Sequence, residues 1–413
     1  MSITLDDVAF LTSPAGERAL ARLAGEDLRE ADTLRLLTAL RKEYTASQAG
    51  AALEMARLRA KGVEKFGPAA ARLFFTREAL EQASYPAVRD YRAGELRRLG
   101  VASVVDACCG IGADSLAFAG AGLPVTGIDR DALRVTMARH NAAVLNLTPD
   151  PSPPHGEGSE QTQMAIHPYG GWAEFTLGDV RGGLPDADCV FFDPARRDAA
   201  GKRIFDVERY EPPLATIQAW PHRLVAAKLS PGVELAQLES YGGCVEFVSV
   251  DGDLKEATLW RGAGLAGRRA TLLTGGQVLH WDDAGALAEV GEPLAWLVEP
   301  DAALLRAGLV QDVAARFDGR LLDESIAYFT TTVRPESPWL RAWAVLDWLP
   351  FHVKRLRAYL RERDVGQVTV KKRGSPVTPE ELIPQLKLRG AESRVLVLTR
   401  LRGAPIVLVC AAI

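Results

Sequence analysis

Cysteine is scarce: Cys108, Cys109, Cys189, Cys244 and Cys410 are the only five in 413 residues, and no two form a C-x-x-C pair. That spacing argues against a disulfide framework and against a zinc site, so no metal partner is expected. Long apolar runs are missing too. Without a stretch of about 18 apolar residues, no transmembrane helix is expected. The opening MSITLDDVAF has neither the basic nor the apolar region of a secretory signal. The chain is therefore expected in the cytoplasm, with no membrane partner. What is left, 47% hydrophobic and 25% charged, is the make-up of an ordinary soluble globular protein. Its length suits two or three domains.

The stretch from Val101 to Asp131 organises the rest. Val104-Val105-Asp106 reads as a short strand ending in a carboxylate, and Cys108-Cys109-Gly110-Ile111-Gly112 as a tight loop. Ala113 to Gly120 then opens a helix, with Asp114 and Ser115 where its N-cap would sit. A second strand, Pro124 to Ile128, runs into Asp129. This order is the first half of a nucleotide-binding βαβ unit. Gly110 and Gly112 let the backbone turn sharply and approach a ligand, and the helix offers unpaired N–H groups. Asp129 can accept hydrogen bonds from both hydroxyls of a ribose. A dinucleotide site wants glycine where Ser115 stands and no charge where Asp106 stands. A carboxylate facing the loop suits a cofactor with positive charge and no phosphate, which is S-adenosylmethionine.

Val105-Asp106-Ala107-Cys108-Cys109-Gly110-Ile111-Gly112 resembles motif I of the class I S-adenosylmethionine-dependent methyltransferases. It is particularly similar to the RNA cap guanine-N2 branch, and His140-Asn141-Ala142 on the next helix fits that likeness. Nearly the whole chain resembles a bacterial family that joins this domain to a C-terminal THUMP-like domain. The resemblance implies cofactor contacts at Asp106, Cys108, Gly110, Gly112 and Asp129. It also implies that Asp179, after the third strand, meets the adenine amino group. Gln82, in the segment Phe75 to Ser84 before the first strand, is placed to reach the methionine end; a surface amide on a helix is its other reading.

Cys189 to Phe192 is a continuous apolar run, as expected of a central strand buried on both faces. It delivers Asp193-Pro194-Ala195-Arg196 to the carboxyl edge of the sheet, where ligands bind. These residues resemble motif IV, which in amino-group methyltransferases reads Asn/Asp-Pro-Pro-aromatic. There the first side chain and a proline carbonyl grip the target amine while the ring stacks on the base. Here Ala195 replaces the second proline and Arg196 the aromatic, a guanidinium that can also stack or pair with phosphate. Asp193, Pro194 and Arg196 are the catalytic candidates. Lys228, at the end of the fifth strand, either touches substrate or neutralises Asp193.

Residues 1–85 carry Leu and Ala at three- and four-residue spacing, which predicts an N-terminal helical domain. A Rossmann-like, seven-stranded methyltransferase domain is expected over 86–275, closed by an antiparallel pair, Cys244 to Val250 and Glu256 to Trp260, across Asp251-Gly252-Asp253. Its Pro-, Gly- and Ser-rich segment, about 148–171, reads as a disordered insertion. An α+β THUMP-like domain is expected over 276–413, with a helix from Glu299 to Gly308, strands at 368–374, 394–400 and 405–412, and a helical turn stopping before Pro384. Residues 341–413 hold 14 Lys/Arg against 6 Asp/Glu, a net of +8, while 1–340 carry −12. That asymmetry reads either as the footprint of a nucleic-acid contact or as a basic surface without function; on the first reading Lys371, Lys372, Arg373, Lys387 and Arg389 are the phosphate-binding candidates.

The fold class expected is α/β. The expected activity is methylation of a base in tRNA or rRNA by S-adenosylmethionine, with an exocyclic amine favoured. The alternatives are a small-molecule or protein methyltransferase, or a non-catalytic RNA-binding protein that keeps the cofactor fold.

Overall fold

The computed structural model describes residues 3–149, 170–197 and 201–412. All but the ends of the expected insertion, with His155 and His167, lie outside the described residues. The chain forms two compact units. The first runs to Gly243 and takes in Glu256–Ala266; the second comprises Cys244–Lys255 and everything from Gly267 on. Among the described residues no helix is long and apolar enough to cross a membrane.

The first unit opens with helices α1 (Leu5–Leu11), α2 (Pro14–Leu23), α3 (Thr33–Leu40), α4 (Ala46–Phe66), α5 (Arg77–Gln82) and α6 (Pro86–Arg98). Thr4 with Asp7, and Thr45 with Gln48, form the capping boxes that start α1 and α4. Leu11, Leu23, Leu40, Leu53 and Leu58 bury in one core with Ile111 and Met137, so these helices share their interior with the α/β part. Apolar periodicity does not announce α6. Its inner face carries Arg89, Arg92 and Glu95 beside Val88 and Leu96.

The α/β part follows as β1 (Val104–Ala107), α7 (Ala113–Gly120), β2 (Val125–Asp129), α8 (Ala132–Val144), β3 (Ala173–Leu177), β4 (Cys189–Phe192) and β5 (Leu224–Leu229). The division between units falls here: β6 (Cys244–Val250) lies in the second, and β7 (Asp253–Gly262) enters the first at Glu256. Within the first unit the strand order is β3-β2-β1-β4-β5-β7. The first five strands are parallel and β7 runs antiparallel to β5. The order reverses between β1 and β4, so the loops leaving those two strands open a crevice at their carboxyl ends. The backbone of that crevice is closed by the Asp193 N–H donating to the Ala107 carbonyl, 3.1 Å.

In the second unit β6 pairs in parallel with β8 (Gly267–Thr274), and β9 (Gln277–Asp282) pairs antiparallel to β8. The chain continues through β10 (Trp296–Pro300), α9 (Ala302–Arg306), α10 (Val310–Arg316), β11 (Arg320–Leu321), β12 (Phe329–Thr331) and β13 (Leu340–Pro350). It ends with α11 (Val353–Glu362), β14 (Val365–Lys372), α12 (Pro379–Leu386), β15 (Glu392–Leu401) and β16 (Ala404–Ala411). The resulting sheet has the order β11-β12-β10-β13-β16-β15-β14. Alternate residues of β15 and β16 face opposite cores. Val395, Val397, Ile406 and Leu408 pack with Tyr328 and Trp343, while Leu396, Leu398, Val407 and Val409 meet Leu356 and Leu360 of α11.

Two local expectations need correction here. Pro384 does not stop α12, because Leu382 and Leu386 on either side of it are both buried and Thr378 with Glu381 caps the start. Pro300 ends a strand rather than starting a helix; Asp301, whose side chain accepts from the Ala303 N–H, caps α9.

Candidate active site

The glycine loop is shaped by the strand beside it. The N–H groups of Cys108 and Cys109 both donate to the Ile128 carbonyl, at 2.8 and 3.0 Å, which turns the chain out of β1. Gly110 sits at φ +57° with nothing within 4 Å of where a Cβ would stand, so its backbone faces open space. Gly112, at φ +83°, is the residue that caps α7, and a Cβ there would meet the Phe175 ring at 3.0 Å. Asp114 and Ser115 are therefore not caps. Both lie inside the first turn, and their side chains are buried.

Asp129 is held at the loop by two backbone donors: Gly110 N–H to Oδ2 and Asp131 N–H to Oδ1, each 2.9 Å. Each of its oxygens keeps lone-pair capacity for a ligand hydroxyl. Asp106, at the end of β1, is 1% exposed. Ser115 Oγ donates to its Oδ2, while Oδ1 has no hydrogen-bond partner among the described residues. Burial first, then the neighbouring Asp114 and Asp193, pushes its carboxyl up to about 8. An orphaned acceptor in that setting is answered by a positively charged ligand group. Cys108 shares the loop, but burial and Asp129 push its thiol up, so it stays a neutral thiol.

Asp129, Cys108, Gly178, Asp179 and Ala195 border a small cavity of about 60 Å3. Asp179 reaches it from the loop after β3 and is engaged by Arg181, Nη2 to Oδ2 at 2.6 Å. That hydrogen bond, with the Arg181 backbone N–H, holds its carboxyl at about 2. An open glycine backbone, a two-oxygen acceptor beside it and an orphaned carboxyl at the opposite end of the loop fit S-adenosylmethionine.

Asp193 leaves β4 into a chain of charges. Lys228, 2% exposed, donates to Asp193 Oδ2 at 2.7 Å and to Ser84 Oγ at 2.8 Å. Ser84 in turn donates to Asp114 Oδ2 at 2.9 Å. Arg92 lies wholly buried over the Phe191 ring and pairs with both Asp114 and Glu256. Glu256 comes back to within 3.9 Å of Lys228. Burial opposes the charge on Arg92, but Glu256 and Asp114 more than offset it. Burial likewise works to raise Asp114, and Arg92 and Lys228 bring it below its usual range. Arg196 closes the outer side, donating to the Leu229 carbonyl at 2.7 Å and to Asp193 Oδ1 at 3.2 Å.

The first unit thus brings together Asp106, Cys108, Gly110, Gly112 and Asp129 at the loop, and Asp193, Arg196 and Lys228 at the β4 edge. Of the two readings of Lys228, its position supports pairing with Asp193. Gln82 ends α5, half-buried; two residues on, Ser84 makes the link into the charge chain. Sequence reasoning did not find Ser84, Arg92, Asp114 or Glu256. The one available signal was charge on the inner face of α6. In the second unit Lys371 pairs with Glu299 at 2.6 Å and Arg373 stands 3.8 Å from the same carboxylate. Lys372, Lys387 and Arg389 are exposed.

Known proteins share this fold. A proposed methyltransferase from Porphyromonas gingivalis W83, solved by crystallography, superposes with a TM-score of 0.73 at 22% identity, over 95% of this chain and 98% of its own. That likeness fixes the class of fold. Uncharacterized S-adenosylmethionine-dependent methyltransferases of two Mycobacterium tuberculosis strains, CDC 1551 / Oshkosh and H37Rv, are each 34% identical over 334 residues, 79% of this chain and 84% of theirs. The chain belongs to the S-adenosylmethionine-dependent methyltransferases. Residues 340–412 match the family described as THUMP domain-like, and residues 4–62 match a Domain of unknown function (DUF8688).

Proposed function

We propose that this methyltransferase modifies an exocyclic amine of a base in tRNA or rRNA. The observation that carries the reading is Asp193-Pro194 at the carboxyl end of β4, with the Asp193 side chain held on one oxygen by Lys228 and on the other by Arg196. The THUMP domain-like match and the net +8 of residues 341–413 support RNA as the substrate.

S-adenosylmethionine, when bound, supplies an electrophilic methyl group. Asp129 holds the ribose hydroxyls, Asp179 the adenine amino group, and Asp106 the positively charged methionine end near Gly110. Cys108 and Gly112 shape that loop, and Gln82 covers it. Asp193 accepts a hydrogen bond from the target amine, which aims the nitrogen lone pair, and it takes the proton that the nitrogen loses on methylation. Pro194 fixes the backbone that presents the carboxylate, and the Arg196 guanidinium, held by the Leu229 carbonyl, stacks on the base or pairs with a phosphate. Most of the rate comes from orientation. No cysteine follows Asp193-Pro194 closely, which favours an exocyclic amine over a covalent route.

The test is transfer of labelled methyl from S-adenosylmethionine to total RNA from cells lacking the gene, with the modified nucleoside read by mass spectrometry. Asp193→Ala is expected to lower transfer by about a hundredfold or more while cofactor binding stays near the parent value. Undiminished transfer by a folded Asp193→Ala sinks the site. Transfer to protein or small molecules alone sinks the substrate.

A further inference from the structure

The N-terminal helices reach the candidate active site through Ser84, in the short link between α5 and α6. The backbone there is clamped from both sides. Lys65, near the end of α4, donates from Nζ to the carbonyls of Leu80, Glu81 and Ala83, at 2.9, 2.9 and 2.7 Å. Three acceptors on one ammonium fix the end of α5 and the residue just before Ser84. On the other side the Tyr85 carbonyl accepts from the N–H groups of Val88 and Arg89, at 3.0 and 3.1 Å, which starts α6. Arg89 in turn donates to the Lys65 carbonyl at 2.6 Å and ties α6 back to α4. Ser84 itself is buried.

The chemistry of its neighbours fixes which way each hydrogen bond runs. A carboxylate only accepts and an ammonium only donates. Burial works against the charge on Asp114, but Arg92 and Lys228 keep it ionised. The single proton of Ser84 Oγ goes to Asp114 Oδ2, at 2.9 Å. Ser84 therefore meets the Lys228 ammonium, at 2.8 Å, with a lone pair. Two carboxylates compete for that ammonium. Asp193 Oδ2 holds it at 2.7 Å, while Glu256 Oε2 stands 3.9 Å away, beyond hydrogen-bond length. A shift of about 1 Å would exchange one for the other. Glu256 is buried, so solvent screens its attraction little. Where it stands, the ammonium makes two hydrogen bonds among the described residues. Without the Ser84 oxygen it makes one, and Glu256 offers as many.

We propose that Ser84 is a positioning residue for methyl transfer: its oxygen holds the Lys228 ammonium on Asp193 rather than on Glu256. Through it the N-terminal helices set the aim of the Asp193 carboxylate. The inference rests on the reading of Asp193 above, as the residue that aims the target nitrogen. Ser84 acts through Lys228, and Lys65 one step further out, by keeping Ser84 in place.

The test pairs a structure with kinetics on the full-length protein. In a crystal structure of Ser84→Ala with S-adenosylhomocysteine, Lys228 Nζ is expected within about 3.2 Å of Glu256 Oε2 and more than about 3.5 Å from Asp193 Oδ2. In methyl transfer to hypomethylated RNA, kcat is expected to fall about tenfold or more, with KM for cofactor and RNA near the parent values. Ser84→Thr, which restores the hydroxyl, should recover most of kcat. Ser84→Cys keeps nearly the volume of serine and offers only a weak acceptor. It should behave as Ser84→Ala without leaving a cavity, so the test survives an alanine variant that does not fold. A folded Ser84→Cys that leaves Lys228 on Asp193, or that transfers at the parent rate while Asp193→Ala is dead, overturns the proposal. A loss shared between kcat and KM that threonine does not rescue marks Ser84 as structural and overturns it too. Undiminished transfer by Asp193→Ala, with Lys228 moved onto Glu256 in Ser84→Cys, removes the reading of Asp193 instead: the competition for the ammonium is then real but has no catalytic use.

Discussion

The two units treat charge in opposite ways. In the first, Arg92, Lys228, Asp114 and Glu256 are buried, each with at least one opposite partner, and Asp193 stands at the mouth of that chain. In the second, Lys372, Lys387 and Arg389 stand in solvent, and Lys371 and Arg373 share one carboxylate. A buried charge must be paired or it costs several kcal/mol, so the first arrangement fixes positions. An exposed cation keeps its donors available for a phosphate and is worth little to folding. The contrast separates charges fixed by their partners from charges that stay free in solvent.

The largest effect should come from breaking the buried chain. Lys228→Met removes the cation from Asp193 and from nearby Glu256, and should cost about 3–5 kcal/mol of stability as well as transfer activity. Lys228→Arg should recover part of the stability. A chemical-denaturation midpoint for Lys228→Met equal to the parent's would show that the chain does not hold the site.

Asp106 sharpens the comparison through pH. Burial and the neighbouring Asp114 push its carboxyl up from the ordinary 3.8 to about 8 in the folded protein, so the native state holds a proton that the unfolded state has lost between those limits. Stability from this group is therefore present at low pH and falls as pH rises towards 8. A cationic ligand favours the ionised form, so S-adenosylmethionine affinity should climb from pH 6 to about 8 and then level. Asp106→Asn should flatten both profiles and weaken cofactor binding by about tenfold. Parallel pH profiles for parent and variant would place the coupling elsewhere.

The smallest effects belong to the exposed cations. Lys372→Gln, Lys387→Gln and Arg389→Gln should each leave the melting temperature unmoved, lower RNA affinity a few-fold, and reduce the slope of log affinity against log salt by about one. Binding of RNA that ignores salt would collapse the distinction between the units.

Much of this was legible in the residues. The Asp106-to-Asp129 segment announced its strands, loop and helix, because glycine placement and short apolar runs are local signals. Its cap was misplaced by two residues or more, since Gly112 in the left-handed region does what Asp114 seemed suited for. Three strands of the last domain, at 368–374, 394–400 and 405–412, were also legible, whereas β10, β11, β12 and β13 were not. Helix α6 did not, because its inner face is charged. Pro384 misled in the other direction: two buried leucines outweigh one lost hydrogen bond.

By itself the sequence determined the order of strand, loop and helix, the two acids at strand ends, and the unequal charge of residues 1–340 and 341–413. These follow from propensity, periodicity and composition, which act over a few residues or need only a count. Only the tertiary structure decided that Ser84 and Lys228, 144 positions apart, share a hydrogen bond, or that Arg92 lies between Asp114 and a glutamate 164 positions along the chain. It alone set Arg341 over Gly252. A charged side chain carries no mark of its partner. The partner is chosen when the strand order reverses at β1 and β4, and when burial makes pairing obligatory.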